Sequence, residues 1–453
     1  MIAMQLSEVA SILGGELIGD DREIHGVSTD TRKAQKGELF FALHGPHFDG
    51  HDCMEDAQNR LVSGTVVDRD VDTTLTYIKV SDTRLALGNL ATFWRSKFSA
   101  PIAGITGSVG KTTVKEMLGK IANSSGNALV TRGNFNNEIG VPLTLFRMSK
   151  DHDFAVIEMG AGKKGDIKLL SEFARPDVSV ITLCAPSHLE GFRDLETIAR
   201  TKGEIIESLP QTGVAVLNAD DRYFGMWKKM AGNREIITFG ANGTVQASSV
   251  SNDQSQQVVQ LRTPRGTCEV KIPQVGEHNV TNAAAAAAGG LALGIELDAI
   301  VQGLQQASAA PRRMEIKKGP KGYRLVDDTY NANPASTLAA IRYLGAAPGS
   351  RWLVFADMAE LGDMASEFHY RVGNAANNAN VARLFTVGVL SKVAHDAYGG
   401  ISEHYSGKEE LISRLKDLMS ENIGNVTILF KGSRAMRLEK VVDALSREES
   451  QKC

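Results

Sequence analysis

The sequence predicts an α/β protein of three domains: a small N-terminal α/β module, a central parallel-sheet domain with a P-loop, and a C-terminal Rossmann-like doubly wound domain. Its 453 residues correspond to roughly three domains of about 150 residues each. Apolar runs of strand length alternate with helical patterns through the central and C-terminal parts, as in parallel sheets. A glycine-rich segment from Ile105 to Thr113 separates a predicted strand from a predicted helix.

Composition and charge are those of an ordinary globular protein. The net charge is -3 and Lys and Arg form no blocks, so we expect neither nucleic acid nor an anionic membrane as a partner. The four cysteines lie far apart, which excludes a local C-x-x-C or zinc motif and suits a reducing cytosol. The N-terminus has no basic segment before its apolar residues, and the most apolar window, 283–297, is too short to span a membrane. We therefore expect a cytoplasmic monomer.

The first domain is expected at residues 1–82. Apolar residues at helical spacing predict a helix from Leu6 to Leu13 that ends at two glycines. Strands are predicted at 16–18, 26–28, 38–43, 63–67 and 76–80. Two polar loops, 28–32 and 43–51, follow strands; they would hold an anionic ligand or form surface turns.

The central domain is expected at residues 83–310. Strands are predicted at 101–105, 154–158, 178–183, 214–217 and 235–238, alternating with helices. Residues 243–273 have the polar alternation of short antiparallel strands. The alanine run 283–288 predicts a close-packed helix.

The P-loop carries the clearest chemistry. Gly107 and Gly110 allow backbone N–H groups to surround phosphate oxygens, Lys111 adds a positive charge, and Thr112 offers a hydroxyl to Mg²⁺. The strict pattern requires glycine at 105, where this chain has Ile105, so a glycine-rich turn before a lysine is the alternative. The candidate residues for ATP phosphates are Gly107, Ser108, Val109, Gly110, Lys111, Thr112 and Thr113.

Three further positions in the central domain are candidates. Glu158 ends a predicted strand at the P-loop edge of the sheet, where a carboxylate can hold Mg²⁺ or cap a helix. His188 also follows a strand, at an edge where open α/β sheets bind ligands, although a lone loop histidine is more often without a catalytic role. From composition alone, Lys202 is predicted to be a charged helix residue that faces solvent. The amide-rich loop 133–142 would orient phosphates or build turns.

The third domain is expected at residues 311–453. Apolar runs at 324–326, 352–355, 384–387 and 426–430 are separated by helical patterns near 335–345, 366–379, 408–420 and 435–447. This alternation predicts a second doubly wound sheet.

Taken together, these motifs resemble the Mur ligase family over essentially the whole chain and in the right order. The family's loop likewise lacks the first glycine of the strict pattern, and Asp30-Thr31-Arg32 departs from its usual Asp-Ser-Arg while keeping a hydroxyl. The matching segments are 106–113, 134–137, 157–160, His188, Lys202, 216–221, 276–279 and 311–313. Segments 327–334 and 357–362 are most similar to the members that add D-alanyl-D-alanine.

The resemblance implies an ATP-dependent amide ligase of peptidoglycan precursor synthesis that uses ATP and Mg²⁺. It implies UDP-N-acetylmuramoyl-tripeptide on the first domain, ATP on the second and D-alanyl-D-alanine on the third. The resemblance implies four metal ligands: Thr112, Glu158, His188 and a carbamylated Lys202. It implies four catalytic residues: Lys111, Glu158, His188 and Lys202. The further positions implied are Asn279, Asn282, Arg313 and Asp328 near the nucleotide, Asn331 and Asn333 at the dipeptide, and Ser28, Thr29, Asp30, Arg32 and Gly45 at the UDP-sugar peptide.

Two alternatives remain open at this stage. A relative that adds a single amino acid would share the ATP motifs, although its Asp-Asn-Pro-Arg motif is absent from the third domain. A P-loop protein of another class would explain Lys111 and Thr112, but not the third domain or the pair His188 and Lys202.

Overall fold

The computed structural model describes residues 3–186, 190–192, 194–252, 256–421 and 425–446. These residues form a mixed α/β protein whose three larger sheets are wholly or mostly parallel and whose two smaller sheets are antiparallel, which confirms the predicted fold class. No helix in the described part of the chain is long and apolar enough to cross a membrane.

The N-terminal part contains a five-stranded sheet of order β2-β7-β6-β5-β4, parallel except for β2. Its first helix buries Leu6, Val9 and Ala10 and ends at Gly14, whose positive φ of 61° favours glycine. The elements are β1 (Met4–Gln5), α1 (Leu6–Leu13), β2 (Glu16–Ile18), β3 (Glu23–Ile24), β4 (Gly26–Ser28), β5 (Glu38–Phe41), α2 (Met54–Asn59), β6 (Gly64–Val67), β7 (Tyr77–Lys79) and α3 (Thr83–Arg95).

The central sheet has six parallel strands in the order β13-β12-β11-β8-β10-β9. Its strands are β8 (Ile102–Thr106), β9 (Ala128–Val130), β10 (Phe154–Glu158), β11 (Val178–Ile181), β12 (Val214–Asn218) and β13 (Glu235–Phe239). Its helices are α4 (Lys111–Asn123), α5 (Gly140–Leu145), α6 (Asp166–Ala174), α7 (Leu195–Glu207) and α8 (Phe224–Ala231). Strand β8 lies inside the sheet, so the P-loop leaves from its centre.

An antiparallel three-stranded sheet and the helix of the alanine run follow, as the sequence predicts, and a second helix that was not predicted comes after them. They are β14 (Gln246–Asn252), β15 (Gln257–Thr263), β16 (Gly266–Ile272), α9 (Glu277–Ala292) and α10 (Leu297–Gln306). The alanines 283–288 of α9 are buried, and the helix packs against α4. Small side chains allow this close approach to the helix that begins at the P-loop.

The third part has a six-stranded sheet of order β17-β18-β22-β19-β20-β21, parallel except for β17. Its strands are β17 (Glu315–Lys318), β18 (Arg324–Asp328), β19 (Ser350–Ala356), β20 (Arg383–Val387), β21 (Ile401–Tyr405) and β22 (Val426–Lys431). Its helices are α11 (Pro334–Gly345), α12 (Ala365–Asn378), α13 (Ser391–Ala397), α14 (Lys408–Glu421) and α15 (Glu439–Ser446).

Candidate active site

The carboxyl ends of strands from both six-stranded sheets border a cavity of about 1330 Å³. From the central sheet, the P-loop after β8 and residues after β10, β11 and β12 line it. From the third sheet, residues after β18, β19 and β22 line it. Open α/β sheets bind ligands at this edge, and here two such edges share one space.

The P-loop conformation depends on its glycines. Gly107 has a φ of 149°, and a Cβ there would lie 1.9 Å from Thr182 Oγ1. Gly110 has a φ of 87°, and its Cβ would lie 2.5 Å from Asn282 Oδ1. The Thr182 hydroxyl donates to the carbonyl of Val109 at 2.6 Å. Larger residues would therefore clash with the neighbours that shape the loop.

Two cationic side chains, Lys111 and Arg313, lie at the start of α4. Lys111 Nζ donates to the carbonyl of Gly107 at 2.6 Å. Burial lowers the pKa of Lys111, while the charge of Glu158 opposes this shift and that of Arg313 adds to it. Arg313 Nη2 donates to Thr112 Oγ1 at 3.0 Å, and its guanidinium lies 4.0 Å from the centre of the Tyr330 ring. A residue preceding the third sheet thus contacts the P-loop directly.

Glu158 supplies a buried carboxylate beside these cations. Glu158 is only 2% exposed, and its Oε1 accepts a hydrogen bond from Asn136 Nδ2 at 2.8 Å. Its Oε2 is buried and has no hydrogen-bond partner among the described residues. An unsatisfied buried carboxylate oxygen is costly, and a hard cation would satisfy it. Glu158 and the Thr112 hydroxyl therefore fit a Mg²⁺ ion bound with nucleotide.

Lys202 is buried, contrary to what composition alone suggests. It lies on α7 and is 2% exposed. Burial, helped by the nearby charge of Lys111, lowers the pKa of Lys202 to about 7. His188 lies outside the described residues.

The other predicted nucleotide residues line the same cavity. Asn282 Nδ2 donates to Asn279 Oδ1 at 3.0 Å, and Asn279 is anchored to the carbonyl of Val275 at 2.9 Å. Asp328 accepts from Lys431 Nζ at 2.5 Å and from the backbone N–H of Met314 at 3.2 Å. Asn279 and Asn282 thus come from α9 and Asp328 from β18, so the central and third parts both contribute to this region of the cavity.

The two asparagines predicted for the dipeptide also line the cavity, and both have structural roles. Asn331 Oδ1 accepts from the backbone N–H groups of Ala332 at 2.9 Å and Arg434 at 3.3 Å. Asn333 Oδ1 accepts from the Ser336 N–H at 2.9 Å and caps α11. Their Nδ2 groups are the donors that could serve a ligand.

The residues predicted for the UDP-sugar peptide do not line this cavity. Asp30 and Arg32 form a two-contact ion pair at 2.8 and 2.9 Å beside the buried Ser28, and this pairing lowers the pKa of Asp30. A Cβ on Gly45 would lie 2.2 Å from the Phe48 ring. Thr29 lies between β4 and Asp30, in the same turn.

Several cavity residues were missed by sequence reasoning. Arg84, Lys163, Lys431 and Arg434 all line the cavity. Lys431 had a usable signal, because it ends an apolar strand just as Glu158 does. Arg84 and Lys163 had none, because Arg84 lies near the start of a largely apolar helix, Lys163 lies in a short basic segment, and neither is part of a recognisable motif.

Comparison with known proteins agrees with this geometry. The chain matches the models for the Mur ligase family, catalytic domain (residues 23–95), the Mur ligase middle domain (105–290) and the Mur ligase, glutamate ligase domain (312–434). UDP-N-acetylmuramoyl-tripeptide--D-alanyl-D-alanine ligase of Escherichia coli (strain K12) is 42% identical over 448 residues, covering 98% of this chain and 99% of that protein.

Two solved structures share the fold along the chain. MurF from Acinetobacter baumannii has a TM-score of 0.94 and 33% identity, covering 99% of this chain and 100% of that one. MurF ligase from Thermotoga maritima, in complex with ADP, has a TM-score of 0.84 and 28% identity, covering 93% and 97%. The resemblance found in the sequence motifs is confirmed: this chain belongs to the Mur ligase family.

Proposed function

We propose that the protein is an ATP-dependent ligase that joins D-alanyl-D-alanine to UDP-N-acetylmuramoyl-tripeptide. The products are UDP-N-acetylmuramoyl-pentapeptide, ADP and phosphate. The observation that carries the proposal is the cavity lined by the P-loop on one side and the β18–α11 connection on the other. The relative of that name from Escherichia coli, similar over its whole length, supports the choice of substrates.

The chemistry follows from charge. The tripeptide carboxylate and the γ-phosphate of ATP are both anions, so positive groups must bring them together. Lys111 and Arg313 lie at the P-loop and supply this positive charge. A carboxylate oxygen attacks the γ-phosphorus, ADP leaves, and an acyl phosphate results. The dipeptide amine then attacks the acyl carbon, and phosphate leaves from the tetrahedral intermediate, whose negative charge the same cations stabilise.

Mg²⁺, when bound, would neutralise phosphate charge and polarise the γ-phosphate. We propose Thr112 and Glu158 as ligands of a nucleotide-bound Mg²⁺, and Glu158, His188 and a carbamylated Lys202 as ligands of a second. The unsatisfied Oε2 of Glu158 and the burial of Lys202 support this assignment.

The domain roles remain those implied by the sequence. We propose that residues 1–82 bind the UDP-sugar peptide, 83–310 bind ATP, and 311–453 bind the incoming dipeptide. The described cysteines, Cys53, Cys184 and Cys268, are all free, which supports a cytoplasmic location. We further propose that the enzyme acts as a monomer.

Product analysis by mass spectrometry tests the proposed specificity. The intact enzyme is given ATP, Mg²⁺ and either UDP-tripeptide with D-alanyl-D-alanine or UDP-dipeptide with diaminopimelate or lysine. We expect UDP-pentapeptide from the first mixture and no extended product from the others. Addition of a single amino acid to UDP-dipeptide would reject the proposed function in favour of the single-residue relative.

A further inference from the structure

A compact cluster of two histidines and two aspartates lies in the N-terminal part, and none of these four residues lines the cavity. His44, Asp49 and His51 follow β5, and Asp68 follows β6, so both segments leave the carboxyl ends of neighbouring parallel strands. The His44 and His51 rings stack with their centroids 4.9 Å apart. The His51 side chain is 2% exposed, whereas that of His44 is 48% exposed.

The two carboxylates lie on opposite edges of the stacked rings. Asp49 faces the Nδ1 atoms, at 2.6 Å from His51 and 3.4 Å from His44. Asp68 faces the Nε2 atoms, at 2.8 Å from His44 and 3.2 Å from His51. Arg69 Nη2 donates to Asp49 Oδ2 at 2.6 Å, and the backbone N–H of His51 donates to Asp49 Oδ1 at 2.9 Å. Both carboxylate oxygens of Asp49 therefore accept hydrogen bonds.

If His51 carries its proton on Nδ1, no proton lies between its Nε2 and the Asp68 carboxylate. His51 Nδ1 must carry a proton to bond to Asp49, and its Nε2 accepts the backbone N–H of Asp68 at 3.2 Å. The same Nε2 also lies 3.2 Å from the Asp68 carboxylate oxygen, which is a second acceptor. Two lone-pair atoms at this distance repel each other unless a proton or a cation lies between them.

We propose that His44 Nε2, His51 Nε2 and the Asp68 carboxylate form a binding site for a divalent transition-metal ion such as Zn²⁺, which would replace the backbone N–H of Asp68 as the partner of the lone pair on His51 Nε2. One ligand atom from each of the three residues lies within 4.8 Å of the others. Tetrahedral ligands around Zn²⁺ are about 3.4 Å apart, given bonds of roughly 2.1 Å, so a small movement of the exposed His44 completes the geometry. Imidazole nitrogens favour Zn²⁺ and its neighbours over Mg²⁺.

Asp49 strengthens this assignment through the opposite side of His51. Metal-bound histidines usually donate their other ring N–H to a carboxylate, which fixes the ring and its tautomer. The 2.6 Å contact between His51 Nδ1 and Asp49 has this form, and Arg69 holds Asp49 in turn at 2.6 Å. A bound ion would join the loops that follow β5 and β6, including Gly45. The ion supplies no step of the proposed ligase reaction, although its loop also carries Gly45, which is proposed for the UDP-sugar peptide.

Titration of the metal-free intact chain with Co²⁺ tests the site, because tetrahedral Co²⁺ absorbs visible light. We expect one equivalent to give such absorption in the unmodified chain and in His47→Ala, which alters an exposed histidine of the same loop. His44→Ala should weaken binding by at least about tenfold. Glu158→Gln should leave the signal intact, because Glu158 belongs to the other site.

Two outcomes would overturn the proposal. One is the absence of a stoichiometric Co²⁺ signal together with no rise in Tm on adding Zn²⁺, which would mean that a proton on His51 satisfies Asp68. The other is a signal that survives His44→Ala but is lost in Glu158→Gln, which would place the ion in the large cavity. His44 is half exposed, so its replacement should not prevent folding, and a circular dichroism melt of the variant checks this.

Discussion

Lys111 currently bonds to the carbonyl of Gly107, a contact that nucleotide phosphates would replace. We predict that Lys111→Ala lowers kcat by about 10² or more, because a preorganised charge at the transferring phosphoryl group is lost. Lys120→Ala, which removes an exposed charge from the last turn of the same helix, is the matched control and should leave kcat unchanged. Steady-state phosphate release measures both, and near-normal turnover in Lys111→Ala would reject the P-loop assignment.

Lys202 is the residue for which the family resemblance makes the least intuitive prediction. Because its pKa is lowered to about 7, a large share of the side chain is a neutral amine at and above that pH. The amine nitrogen can attack CO₂, forming an N–C bond and losing a proton to give a carbamate. That anion would replace a cation that Lys111 repels.

We predict that Lys202→Ala loses activity and regains part of it with acetate, but not with an added amine. In ¹³C-bicarbonate, the unmodified chain should show a carbamate carbonyl signal by NMR that Lys202→Ala lacks. Lys164→Ala, which removes an exposed lysine, should keep the signal. Full activity in Lys202→Ala, or rescue by an amine, would exclude the carbamate role.

The N-cap residue of helix α11 links stability to the predicted dipeptide site. Asn333 caps the helix through Oδ1, while its Nδ2 is the donor that could serve a ligand. Asn333→Ala removes both functions and should cost about 1 kcal/mol of stability as well as substrate binding. A simple alanine variant therefore cannot separate the two roles.

Asn333→Asp separates them, because aspartate also caps helices but cannot donate from its side chain. We predict an unchanged Tm and a KM for D-alanyl-D-alanine raised roughly tenfold or more, since dipeptide acceptors lose a partner. The KM for ATP should change little. If only the KM for ATP rose, the dipeptide would have to lie elsewhere.

Helix α3 contacts the amide-rich loop 133–142 through Arg84, and this contact can be tested by mutation. Arg84 donates to the carbonyl of His44 and, at 2.8 Å, to Glu138 Oε1. It therefore connects the loop after β5 with the loop that carries Asn136, the partner of Glu158.

We predict that Arg84→Ala raises the KM for UDP-tripeptide several-fold with little change in Tm, because exposed ion pairs contribute about 0–1 kcal/mol. Arg200→Ala, which breaks an exposed pair with Glu196, should alter neither quantity. An equal rise in KM for ATP would argue against a specific link to the N-terminal part.

The sequence predicted buried strands more accurately than exposed ones. The inner strands β8, β10, β11 and β22 are apolar runs and were placed within one or two residues. The strands β9, β17 and β21 were missed: all three are sheet edges, β9 has only three residues, and β17 and β21 carry charged or polar side chains. The edge strand β13 was predicted because it keeps adjacent apolar residues, Ile236 and Ile237. An edge strand often buries too little surface to leave a continuous apolar pattern.

The same limit applies to the site. The P-loop is contiguous, so its residues were identified from sequence, whereas the contact of Arg313 with Thr112 joins positions far apart in the chain. Likewise, nothing in the sequence pairs Lys431 with Asp328. Such contacts depend on how the central and third sheets face each other across the cavity.

Residues of both six-stranded sheets line the cavity, and we expect ATP use to depend on substrates that bind to different parts of the chain. In the proposed reaction, phosphate transfer serves amide formation and is not hydrolysis. The most direct measurement is phosphate release from ATP with UDP-tripeptide and D-alanyl-D-alanine together, with each alone, and with neither. We predict sustained release only when both are present, because the acyl phosphate waits for the dipeptide amine. Brisk release with neither substrate would contradict the account.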